Sequence, residues 1–289
     1  MEYRDITKSI SVDDVVDFSA RHAIKIVIST IAGAVLAVGL AVSIPKQWSA
    51  SVELQVGQFY STGVTGPVVT QIETPSRTVE RLKLPAFVDQ VLTRLNLPLD
   101  LGANDEASLI RSSADVRVMR NADLVQITLN GNSPEAALKH AEAFRDTLIE
   151  AHRSLAQPSM DKLTLELKEV DLSLTKESEQ RDRLDKLAQE QQRLGAAGRF
   201  SESVLLAQMI AANDAQIRDL RLRRAALMEQ SNPNRTFNTR VIGPMSVSKR
   251  PVYPMKSRFA VAGAVLGGLA GVAISLLIDL SRRRTRTSV

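Results

Sequence analysis

The sequence predicts an α+β protein held between two transmembrane helices, with an exported α+β base that carries a long antiparallel helical hairpin. Three observations lead there. Residues 26–44 and 259–278 are apolar runs without a single Asp, Glu, Lys or Arg, each long enough, at about 1.5 Å of rise per residue, to cross roughly 30 Å of hydrocarbon. Residues 51–56 and 124–130 alternate polar and apolar side chains, the period of half-buried strands. Residues 158–231 instead repeat apolar residues at helical steps, interrupted once at Gly195-Ala196-Ala197-Gly198, as two helices folded back on each other would.

Residues 1–25 form a polar lead in which Arg21 and Lys25 directly precede the first apolar run. The second run is followed, over residues 279–289, by Arg282, Arg283, Arg284 and Arg286 against a single acid, Asp279. Positive residues at both outer flanks put both ends in the cytoplasm and residues 45–258 on the far side. A cleaved signal peptide is the alternative for the first run, with Ser49 and Ser51 as small residues near a cleavage point. The run is longer than a signal core of roughly 7–15 residues and starts after a long polar lead, so an uncleaved helix is expected. Trp48 after the first helix and Tyr253 before the second are placed as interfacial anchors. Gly33, Ala37 and Ala41 lie four apart on one helix face, as do Gly263, Gly267 and Gly271 on the other, which lets two backbones approach closely.

The base, residues 45–157, opens on a strand with Val52, Leu54 and Val56 on one face. Residues 57–75, rich in Gly, Thr and Pro, read as loop. Ser76 is the expected cap of a short helix that Pro85 interrupts, followed by a second with Phe87, Val91 and Leu95 on one side. Residues 114–119 and 124–130 read as an antiparallel strand pair turned at Asn121-Ala122-Asp123, with Val125, Ile127 and Leu129 facing one way. Ser133-Pro134-Glu135 opens a helix, whose apolar stripe is expected at Ala137, Ala141, Phe144, Leu148, Ala151 and Leu155.

The hairpin, residues 158–231, has its seam at Leu163, Leu167, Val170 and Leu174 on the outgoing arm and at Ile210, Ile217, Leu220 and Leu227 on the returning one. The outgoing arm spans about 50 Å, long for so small a base. Glu177, Arg181, Asn213 and Arg224 fall at seam positions, either as solvated faces or as residues that fix the register between arms or between neighbouring subunits. Residues 232–258 carry Pro233, Pro244, Pro251 and Pro254, too many for a helix, so the chain returns extended, with Val241-Ile242 as a strand on the sheet that holds Val52.

Composition narrows the function. The Arg-rich end carries a net +3 in a short stretch, while the exported region, 29 positive to 26 negative, is nearly neutral for its length, so there is no nucleic-acid footprint. Cysteine is absent, which excludes disulfides and thiolate chemistry. Of three histidines, His22 precedes the first membrane helix, and His140 and His152 sit on one predicted helix without a metal-binding spacing. The acids of residues 161–169 and 177–190 are interleaved with Lys and Arg at helical neighbour spacings, as solvated pairs are. A protein without catalytic chemistry, metal or cofactor is expected.

The whole arrangement resembles the Wzz-type chain-length determinants of the polysaccharide co-polymerase family. The resemblance is carried by the exit Pro45-Lys46-Gln47-Trp48-Ser49-Ala50, by Val125-Gln126-Ile127 followed by Ser133-Pro134-Glu135-Ala136-Ala137, and by Pro251-Val252-Tyr253-Pro254-Met255-Lys256 before a glycine-rich crossing, with Pro244 upstream. It implies a bacterial inner-membrane scaffold whose periplasmic domains assemble as a homo-oligomer and act with a polysaccharide polymerase on the length of a lipid-linked polysaccharide, the nascent chain being a further candidate partner. The hairpin is shorter than in many members, and the proline signature lacks one regularly spaced proline. The tail has no phosphate-binding Gly-Lys-Ser/Thr loop, so a fused kinase is not expected. A capsule or exopolysaccharide export component, coupled to an outer-membrane exporter and a kinase, is the alternative within the same architecture. A two-helix membrane sensor is more remote, because the short tail holds no output module.

Overall fold

The computed structural model describes residues 12–63, 66–119, 123–193 and 200–286. The expected turn at Asn121-Ala122 and the glycine break at residues 195–198 lie outside them. The chain divides into two compact units. One holds the end helices, α1 (Val12–Ser43) and α7 (Lys256–Arg286). Both overrun their apolar runs, and α1 begins well inside the expected polar lead because residues 12–25 contain neither Gly nor Pro to stop a helix. Ile28, Ile31, Val35, Leu36 and Leu40 on α1 and Val261, Val265, Leu266 and Leu269 on α7 are each more than half exposed. A surface so apolar is suited to lipid chains and not to water, and both helices are long and apolar enough to cross a membrane.

The other unit runs from residue 50 to 130 and from 135 to 247. In chain order its elements are β1 (Trp48–Gln55, whose first residues belong to the membrane unit), β2 (Gln58–Gly63), β3 (Gly66–Gln71), α2 (Pro75–Lys83), α3 (Pro85–Arg94) and α4 (Asp105–Ser113). Then follow β4 (Asp115–Val118), β5 (Leu124–Gly131), α5 (Pro134–Arg193), α6 (Phe200–Gln230), β6 (Arg240–Val241) and β7 (Ser246–Val247). The main sheet has the order β4-β5-β1-β6, with β7 also on β1. β4 and β5 pair antiparallel with Val116 opposite Ile127. The return segment adds to β1 antiparallel at two points, Val241 opposite Leu54 and Val247 opposite Ala50. Val52, Leu54 and Val56 are buried as their alternation requires, and so are Val125, Ile127 and Leu129. Phe144 and Leu148 of α5 are fully buried with them, and the Phe144 ring packs at 57° on Phe87 of α3, centroids 5.7 Å apart.

Four local expectations give way. Within the expected loop of residues 57–75 lie two paired strands: β2 and β3 run antiparallel with Tyr60 opposite Val69 and Gly63 opposite Gly66. Tyr60, Val68 and Val69 are good strand formers whose signal the surrounding Gly, Thr and Pro conceal. The cap of α2 is Thr74, whose hydroxyl accepts from the Arg77 N–H at 3.4 Å, and Pro75 rather than Ser76 opens the helix. Helix α4 was not expected; Asn104 caps it by accepting from the N–H groups of Glu106 and Ala107 at 2.7 and 3.2 Å. The buried positions of α5 pass from Leu148 to His152 and Ala156, leaving Leu155 half exposed; two successive steps of four turn the buried face by about 80° around the helix, away from the expected alternation of four and three.

Helix α5 is also continuous from base to hairpin through Pro158. A proline inside a helix costs about 3 kcal/mol in a lost hydrogen bond and a ring clash. The well-anchored turns before it and the packed seam after it outweigh that cost.

Candidate functional site: helix pair, hairpin seam and buried brace

In the membrane unit the small residues form the contact. A Cβ placed on Gly33 would lie 2.8 Å from the Cα of Gly267 and collide with the carbonyl of Gly263. One on Gly263 would strike the Cβ of Ala37, and one on Gly271 would strike Ser29. Ala37 is half-buried and Ala41 fully buried. The pair is thus packed backbone to backbone along the glycine face, as van der Waals association in lipid demands. Ser29 and Thr30 donate to the Ile26 carbonyl at 2.9 and 2.7 Å, which removes their hydroxyls from competition at this contact.

The same unit ties the two exits together. The Gln47 N–H donates to the Tyr253 carbonyl at 2.9 Å, the Val252 N–H to the Gln47 carbonyl at 2.8 Å, and the Ser248 N–H to the Ser49 carbonyl at 2.8 Å. Trp48, half-buried, and Tyr253, which meets Phe259 edge-on at 6.2 Å, therefore sit beside one ladder. Pro251 is exposed, Pro254 half-buried after a cis peptide bond, and Pro244 exposed between β6 and β7.

Along the hairpin, Leu163, Val170 and Leu227 form a buried cluster against which Leu167, Leu174 and Leu220 pack. Ile217 is buried and Ile210 half-buried. Polar pairs cross from arm to arm beyond this cluster. Arg224 Nε donates to Asp171 at 2.6 Å, Arg181 Nε to Asp214 at 2.7 Å, and Asn213 Nδ2 to the Glu177 carboxylate at 2.7 Å, with Gln216 donating to the same carboxylate at 3.2 Å. Arg181 also pairs with Asp185 on its own arm. Half-exposed pairs of this kind contribute under about 1 kcal/mol each. Their joint effect is on register, because sliding one arm by a turn breaks all of them at once.

Asn213 shows the cost of that register. It is buried, and its Oδ1 has no hydrogen-bond partner. Replacement of Asn213 by Leu is expected to raise stability by about 1 kcal/mol, seen as a melting temperature higher by about 2–4 °C. Pairs of spin labels on the two arms are expected to report a broader distance distribution in the same variant. A lower melting temperature with an unchanged distribution would contradict this account.

A third feature joins α2, α5 and the return segment inside the second unit. The Glu73 side chain is almost wholly buried. Arg81 grips it with two bonds, Nη2 to Oε1 at 2.9 Å and Nε to Oε2 at 3.0 Å, and Arg77 adds a charge at 3.4 Å. His152, fully buried, lies with Nε2 at 3.3 Å from Glu73 Oε2 and Nδ1 at 2.5 Å from Thr239 Oγ1. Thr239 Oγ1 in turn accepts the Gly57 N–H at 3.0 Å. The hydroxyl oxygen is thus engaged as an acceptor and turns its proton to Nδ1, which leaves Nε2–H to donate to the carboxylate. Burial holds the His152 ring below its ordinary basicity against the pull of Glu73, and Arg81 works in the same sense as burial. Burial alone would raise the Glu73 carboxyl, but hydrogen bonds from Arg81 and His152 and their charges bring it below the ordinary value. Acid, imidazole and hydroxyl stand in line as in a hydrolytic relay, yet ring and hydroxyl are enclosed, so the arrangement acts as a brace.

None of this brace was legible in the sequence. Glu73 lay in an expected loop and His152 beside an assumed stripe, and neither has a local motif. The other buried ring, His140, bridges elements too: Nδ1 donates to the Asn130 carbonyl at 2.8 Å and Nε2 meets Glu106 at 2.8 Å. Among the described residues no group of three or more His, Asp and Glu is placed to hold a metal ion.

No family model matches the chain, and no curated protein does either. Solved structures do. A full-length bacterial polysaccharide co-polymerase aligns over 94% of this chain and 99% of its own at 13% identity, with a TM-score of 0.39. A substituted form of the Shigella flexneri lipopolysaccharide O-antigen chain-length regulator aligns over 71% of this chain and 100% of its own, also at 13% identity, with a TM-score of 0.27. The first of these alignments extends over nearly the whole of both chains, the second over part of this one.

Proposed function

We propose that this protein is a polysaccharide co-polymerase: a bacterial inner-membrane scaffold, both termini cytoplasmic and residues 45–258 periplasmic, that assembles as a homo-oligomer and works with a polysaccharide polymerase to set chain length. One observation carries the reading. Two apolar helices packed glycine to glycine hold a single intervening region, whose sheet takes β1 from just after the first helix and β6 and β7 from just before the second. From that sheet grows a helix of 60 residues. Such a build suits positioning and spacing. The sequence resemblance in the exit, the strand-to-helix segment and the proline-rich return supports the same reading, and the positive outer flanks support the orientation.

The test is genetic. Deleting the gene is expected to replace a modal polysaccharide length distribution by an unregulated ladder on gels, and the wild-type gene is expected to restore it. Intact chain length with lost secretion would instead favour an export component. The purified protein in mild detergent is expected to have the mass of an oligomer, and a strict monomer at every concentration would overturn the scaffold.

A further inference from the structure

The brace around Glu73 lies where a hairpin arm and its return path are both fastened. His152 is on α5 one turn beyond Leu148, the last fully buried residue of the expected apolar stripe, and one turn before Ala156, the next buried position on the way to the seam at Leu163. Thr239 ends the segment that leads from α6 to β6. That segment is stitched nearby as well: the Phe237 N–H donates to the Gln58 carbonyl at 3.0 Å, the Tyr60 N–H to Thr236 Oγ1 at 2.9 Å, and Asn238 Nδ2 to the Ile149 carbonyl at 3.2 Å. We propose that the Glu73–Arg81–His152–Thr239 cluster is a pH-sensitive latch, which fastens the return segment, residues 232–239, to the foot of α5 near neutral pH and loosens it on acidification. The latch itself is a property of the fold; its exposure to external pH rests on the periplasmic placement proposed above.

The groups facing His152 account for the direction. Glu73 precedes α2, Arg81 and Arg77 come from α2, and Thr239 comes from the return segment. With a neutral ring the cluster holds one carboxylate and two guanidiniums. A protonated ring adds a further positive charge in a site closed to water, and it makes Nδ1 a donor, so that the Thr239 hydroxyl loses its acceptor. The sign follows from linkage. The ring's basicity is depressed in the native state, so when pH falls through the ordinary value of 6.5 the opened state takes up a proton that the closed state does not. Stability contributed here is full above that pH and is lost below it. Glu73, also depressed, adds a loss in the same direction at lower pH, below its ordinary value of 4.5.

The experiment is hydrogen exchange on the full chain in detergent, at pH 7.5 and pH 5.5, with times corrected for intrinsic amide exchange. Amides of residues 236–242 and 149–156 are expected to open more often at the lower pH, by up to about tenfold, while those of β5 change much less. His152→Gln retains a donor toward Glu73 without a titrating ring and is expected to abolish the difference. Should that variant fail to fold, wild type still decides: equal corrected exchange of both segments at the two pH values overturns the latch. A folded His152→Gln variant that keeps the full pH response overturns it as well.

Discussion

Gly267→Leu is expected to split the membrane helix pair. A Cβ at that position collides with the carbonyl of Ser29 and comes within 3.1 Å of the Cα of Gly33, and neither atom is the end of a flexible side chain. The helices must separate along the whole small face, so the loss is overpacking strain of about 1–3 kcal/mol together with the dispersion contacts that close approach had provided. Gly39→Leu is the matched comparison, since a Cβ there meets nothing within 4 Å. An unfolding titration in mixed micelles is expected to show a large loss for the first variant and almost none for the second. On the proposed function, cells carrying the Gly267 variant are expected to show a broadened polysaccharide length distribution. Equal behaviour of the two variants would remove the helix contact from the mechanism.

Phe144→Ala should have the largest effect in the unit that carries the sheet and the hairpin. The ring is fully buried and contacts Phe87 of α3. Truncation costs about 3–5 kcal/mol in transfer and cavity terms, a fall in melting temperature of roughly 6–20 °C. A double-mutant cycle with Phe87→Ala is expected to give a coupling of about 0.5–1.5 kcal/mol. The seam lies further along α5, so spin-label distances between the arms are expected to survive in this variant while the melting temperature falls. A change in those distances with little loss of stability would mean that Phe144 acts on the hairpin itself.

Legibility in the sequence followed the range of the physical signal. Burial of Val52 and Leu54, or of Ile127 and Leu129, needs only a period of two along one strand, so alternation revealed it. The hairpin arms announced themselves through repeated leucines, and the small faces of α1 and α7 through residues four apart. What each position meets was another matter. That Gly33 sits over Gly267, or that Asn213 reaches Glu177, depends on the register of two elements, which no single element encodes. Short polar elements were lost for a different reason. In β2, β3 and α4 the few strong formers stand among Gly, Thr, Pro and polar residues that dilute the local signal, although Asn104 ahead of Asp105-Glu106 was a cap signal available to be read. The brace is the extreme case: Glu73 is 79 positions from His152, which is 87 from Thr239, and each is unremarkable where it stands.

The unbroken course of α5 through Pro158 makes it a lever. Its 60 residues amount to about 90 Å of one rod, and most of that length lies beyond the fulcrum where Phe144 packs on Phe87. A tilt of only ~1° at the fulcrum displaces the far end by about 1 Å. Minor adjustments among the packed side chains near Phe87 are therefore magnified at the remote end of the arm, and a partner resting there would be moved by events that scarcely disturb the sheet.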